Sequence, residues 1–135
     1  MTESLAARLR VPALVALAGA ALGTALLLRD PHVGGSWGYC PFLLITGLPC
    51  PGCGGLRATN DLLHGRLADA AGSNLYAVLT ALLAAVTFVW WAVATARGRR
   101  WAGQRHLPRA LNLWVLGLVA FGVLRLMPGL SGLRP

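Results

Sequence analysis

Lysine is absent from this chain and acidic residues are few: twelve arginines stand against Glu3, Asp30, Asp61 and Asp69 in 135 residues, giving a formal net charge of +8. A balance that positive invites a nucleic-acid partner. The arginines, however, are scattered between apolar stretches and form no basic face interleaved with aromatic residues, which argues against one. A serine nucleophile elbow, a phosphate-binding glycine loop and a His-Glu-x-x-His pair are also missing, and with them the hydrolase, nucleotide-binding and metalloprotease chemistries those motifs carry. The chain contains no internal repeat and no low-complexity tract. What it has in excess is apolar surface. At 56% hydrophobic residues it is too apolar for a soluble protein of its size, and its length allows a single domain, here 1–135.

Three runs are long enough to cross a bilayer, whose hydrocarbon core of about 30 Å takes roughly 20 helical residues. The first, 11–28, carries no charge and follows a short arm with Arg8 and Arg10. A basic start followed by an apolar run also fits a cleaved signal peptide. Five apolar residues separate the best small-x-small site, Ala21-Leu22-Gly23, from Arg29, which favours a retained anchor. The second run, 75–96, is uncharged and ends with Trp90 and Trp91, where indoles suit an interface. The third, 110–127, has Asn112 near its start and Arg125 near its end, with Pro128-Gly129 closing it. The expectation for Arg125 is a side chain that snorkels to the interface.

Arginine placement sets the expected orientation. The arm and the second loop hold Arg8, Arg10, Arg97, Arg99, Arg100, Arg105 and Arg109, whereas the much longer opposite side holds Arg29, Arg57, Arg66 and Arg134. Positive charge favours the cytoplasm, so the amino terminus and the arginine loop are expected inside and the segment 29–74 outside the cell membrane. The fold class that follows is an all-α membrane protein. It has three transmembrane helices and an extracytoplasmic cysteine-containing loop with a short amphipathic helix. The arginine loop is also suited to anionic lipid.

All three cysteines lie in that outer segment: Cys40-Pro41, then Cys50-Pro51-Gly52-Cys53-Gly54. Pro49 and Pro51 restrict φ on both sides of Cys50, while the glycines permit a tight turn around two sulfurs. From Gly54 a helical pattern begins, with Leu56, Leu63 and Leu67 on one face and Arg57, Asn60, Asp61 and His64 on the next. Gly65 can end this helix, 66–71 reads as a further short turn, and Ser73 or Asn74 is a natural N-cap for the second span. Arg57 and Asp61 at i,i+4 are expected to form an ordinary helix pair, with His64 placed at the helix end.

Three chemistries fit the sulfurs. A Cys-Pro-x-Cys-Gly turn has the shape of one zinc knuckle, with Cys40 as third ligand and His64 or His32 as fourth. A disulfide from Cys40 to Cys50 or Cys53 would staple the loop and contribute on the order of 2–3 kcal/mol. Cys53, ahead of a helix, also suits a redox pair with Cys50, in a membrane thiol-disulfide oxidoreductase. The reading favoured by a chain with little beyond its spans and one stapled loop is a non-enzymatic accessory or partner-binding subunit. Its surroundings are the lipid bilayer and a membrane-protein partner.

Taken together, Cys40-Pro41, Thr46-Gly47, Cys50-Pro51-Gly52-Cys53-Gly54, Arg57-Ala58 and His64-Gly65 resemble the signature of a bacterial membrane-protein family known as domain of unknown function 2752. The chain differs from that pattern at Leu56, where the family usually has Thr, and at Leu75, where Pro usually follows Asn. The resemblance spans Cys40 to about Asn74 and implies a small integral membrane protein without assigning an activity.

Overall fold

The computed structural model describes residues 4–99 and 101–127, except for the side chains at 102 and 104. Glu3, Arg100, Arg134 and the expected Pro128-Gly129 stop lie outside the described residues. The fold is all-helical, with α1 (Leu5–Leu28), α2 (Pro41–Thr46), α3 (Gly55–Leu63), α4 (Leu67–Ala96), a 3-10 turn at Ala102–Arg105 and α5 (Leu107–Leu126). No strand occurs among the described residues. Helices α1, α4 and α5 are each long and apolar enough to cross a membrane. Their large side chains, such as Leu14, Leu22, Leu83, Val86, Leu113 and Leu116, face outward.

The first helix starts earlier than the apolar run. Ser4 caps it, its Oγ accepting from the Ala7 N–H at 3.3 Å, so Arg8 and Arg10 belong to its first turns. Helix α4 also begins ahead of its uncharged run. The short turn expected at 66–71 is helical from Leu67 and is set off from the span, as expected, by a break at Asn74, whose backbone is extended (φ −166°, ψ 97°). Asn74 Oδ1 accepts from the Ala77 N–H at 2.9 Å, which makes it the internal cap of the long segment that follows.

Helix α3 meets α4 through Ala58 and α1 through Asn60. Ala58 packs with Ala70 and Val78 of α4, flanked by Leu62 and Ala77, and forms the buried apolar cluster. Asn60 Nδ2 donates to the Leu26 carbonyl at the end of α1 at 2.8 Å. A buried amide in this position must be bonded, and the orphan carbonyls at a helix terminus supply the acceptor. Helix α5 joins α4 through aromatics. Tyr76 stacks on Phe121 at 5.6 Å between centroids and donates to the Trp114 carbonyl, and Trp114 Nε1 donates to Thr80 Oγ1 at 3.1 Å. Arg8 lies beside Gly98, so the start of α1 and the arginine loop share one end of the molecule. The cysteines lie at the other.

Candidate metal centre

Cys40 precedes α2, with Pro41 as the first helical residue, and Gly47 ends this helix in the left-handed conformation (φ +70°). The chain then returns through Leu48 and Pro49 to a turn in which the Cys53 N–H donates to the Cys50 carbonyl at 3.1 Å. Gly54 at φ +84° leads directly into α3, a conformation other residues adopt only at a cost. The result brings Cys40 onto the Cys-Pro-Gly-Cys turn. Ligand atoms of Cys40, Cys50 and Cys53 all lie within 4.8 Å of one another. Cys50 Sγ and Cys53 Sγ are 3.0 Å apart, the Cys50 N–H donates to Cys53 Sγ at 3.2 Å, and all three cysteines are free thiols and partly exposed.

The thiols differ in their surroundings. Burial pushes Cys53 up to about 12, reinforced by its hydrogen bond with Cys50. Cys40 is held below its ordinary value by the Leu43 N–H and by Cys50. Three thiols converging from two separate elements form a soft donor set, the chemistry that holds zinc or copper(I). A bound cation would remove the protons that burial otherwise retains on Cys53.

Opposite the sulfurs, the carbonyls of the turn are gathered by two side chains. Asn74 Nδ2 donates to the Pro51 and Cys53 carbonyls, at 3.0 Å each. Arg125 donates from one guanidinium nitrogen to the Cys53 carbonyl at 2.9 Å and, at 3.4 Å, to those of Cys50 and Pro51. Its ring neighbour is Phe121, with the guanidinium carbon 5.1 Å from the centroid. This corrects the snorkelling expectation: Arg125 is fully buried, turned inward beneath the cysteine turn. Gly122 leaves room for the approach, since a Cβ there would stand 2.6 Å from Pro51 Cγ.

The expected polar face of α3 is divided. Asn60 and Asp61 are buried, whereas Arg57 and His64 are exposed. Asp61 does not pair with Arg57 as its i,i+4 spacing suggested. Gly65, at φ +74°, turns the chain so that Arg66 returns to Asp61, at 2.6 Å, while His32 Nε2 reaches the other carboxylate oxygen at 3.3 Å. Ser73 Oγ donates to that same oxygen, at 3.3 Å, and His32 Nδ1 lies 2.9 Å from Asp30. Burial alone would raise the Asp61 carboxyl, but Arg66 and His32 outweigh it and hold the group below its usual range. His32, Asp61, Arg66 and Ser73 line a cleft of about 620 Å³ together with Ala68, Asp69 and Gly72. His64, the expected fourth metal ligand, has Nδ1 2.9 Å from the Asn60 carbonyl of its own helix and lies outside the sulfur cluster, as does His32.

Residues 40–88 match the model of a family described as a protein of unknown function (DUF2752). The match takes in the cysteine turn, α3, Asn74 and most of the apolar length of α4. It leaves out Arg125 on α5 and Leu26 on α1, which fasten that region to the other two spans. No curated protein and no solved structure matches the chain.

The sequence did not reveal the inward turn of Arg125, the pairing of His32 and Arg66 with Asp61, or the donor side of Asn74. For Arg125 a signal was present: it is the one charge in the apolar run 110–127, at the end of the molecule that carries the cysteines.

Proposed function

We propose that this chain is a non-enzymatic multi-pass membrane protein whose outer loop is stapled by zinc through Cys40, Cys50 and Cys53, forming a rigid contact surface for a membrane-protein partner. One observation carries the reading: sulfurs from two elements meet within 4.8 Å, and the turn bearing two of them is clamped from behind by Arg125 and Asn74. A scaffold that fixed suits a structural ion, because little ordering is left for the ion to impose. The excess of arginine at the opposite end supports a cytoplasmic amino terminus and an outward-facing cysteine loop.

The second reading is thiol-disulfide exchange, favoured by the 3.0 Å approach of Cys50 and Cys53. It is the weaker of the two because exchange between Cys50 and Cys53 uses two sulfurs, whereas a metal site accounts for the convergence of all three. Thiol counting under denaturation, with and without reductant, beside metal analysis of the same preparation separates them. Three free thiols with one equivalent of zinc is the expected result. A single free thiol without metal would favour a disulfide, and three free thiols with no metal would sink both readings.

A further inference from the structure

We propose that the three-sulfur centre is coordinatively open, its fourth position filled by a neutral monodentate donor from outside the chain: water at rest, replaceable by an imidazole-type nitrogen. The inference rests on the zinc reading above and deepens it. Zinc is tetrahedral, and a site with three protein ligands keeps one exchangeable position, whereas a purely structural site is closed by a fourth side chain.

The chain's donors are nearly all committed elsewhere. It has three cysteines, three histidines and four acids in all. His32 has its two ring nitrogens on Asp30 and Asp61, and His64, its Nδ1 against the Asn60 carbonyl of its own helix, lies outside the sulfur group. Asp61 and Asp69 face Arg66, and His106 lies in the loop at the far end of α4. Among the described residues, only the three cysteines come together as a ligand group. The protein also leaves one side of them accessible. The carbonyl side of the turn is closed by Arg125 and Asn74, while Cys40, Cys50 and Cys53 stay partly exposed.

Charge selects the class of donor. Three thiolates around a divalent ion leave a net charge of minus one, which the buried Arg125 guanidinium beneath the turn offsets, and an anionic fourth ligand would add a charge with no such counterpart beside an apolar bundle, where it is costly. A neutral nitrogen adds no charge and is a good zinc ligand.

Cobalt(II) loaded into the full chain in detergent, without a histidine tag, tests this. Near-ultraviolet thiolate charge transfer reports uptake by sulfur, and the visible d–d bands report the fourth ligand. Imidazole should shift the visible bands saturably, at concentrations at least about tenfold below those at which azide does. Bands unmoved by imidazole, in a chain that shows the thiolate signal, would mean that the position is already filled by this chain or a second copy, and would overturn the proposal. Azide binding as tightly as imidazole would overturn the choice of a neutral donor. Absence of the thiolate signal would instead remove the metal reading itself.

Discussion

A buried cation at the end of an apolar helix is costly unless its hydrogen bonds are made, and Arg125 makes them to the backbone of the cysteine turn. Replacing Arg125 with Met takes one donor from the carbonyls of Cys50, Pro51 and Cys53, which keep the Cys53 N–H and Asn74, and should lower stability by roughly 1–3 kcal/mol. Thermal unfolding in detergent would register this, and Lys should recover only part of the loss because it has no planar fork. A melting temperature unchanged in Arg125→Met would refute the clamp. Asp61 gives a prediction of a different kind. Its folded-state pKa is lowered, so its contribution is fully present above the unfolded value of about 3.9 and disappears as pH falls through the folded value. Asp61→Asn should therefore be less stable than the parent at neutral pH and show a flatter decline between about pH 5 and 3. Parallel acid limbs would show that Asp61 does not drive that decline.

Helix α5 docks through small residues and aromatics, and Gly122 is the tightest point. A methyl group there meets the Pro51 ring, which is part of a constrained turn and has no flexible end to move aside. Gly122→Ala should cost roughly 1–3 kcal/mol and raise alkylation of the three thiols, whereas Gly19→Ala on α1, with nothing near it, should be neutral. Equal effects at both sites would remove the special role of the α5 contact. The helices were the legible part of this molecule, because long uncharged runs and a leucine period ending at glycine are local patterns. The convergence of Cys50 and Cys53 was legible from their spacing, and Cys40 was named as a third ligand on composition alone. The role of Arg125 was not legible, since an outward-snorkelling arginine and an inward-turned one produce the same one-dimensional pattern. Nor was the partner of Asp61: Arg57 and Arg66 compete on spacing, and the turn at Gly65, a feature of backbone direction, decides between them.

Across the whole molecule, α1, α4 and α5 run up, down and up. The arginine-rich loop then lies with the start of α1, and the cysteine turn with its end. In a cysteine-free variant, Ser36→Cys should react with a membrane-impermeant maleimide on intact cells while His106→Cys should not. Equal or reversed labelling would overturn the proposed orientation. The partition of the cysteine turn's contacts has a further consequence, for assembly. Arg125 follows Cys53 by 72 residues, so during synthesis the turn is complete long before its guanidinium clamp exists. Until α5 has been inserted, Asn74 is the one side chain of the described residues that gathers the carbonyls of the turn. A nascent chain stalled after Ala96 should be alkylated at all three thiols faster than the full chain, in which they stay partly exposed but the turn is held, making α5 a timer for maturation of the site.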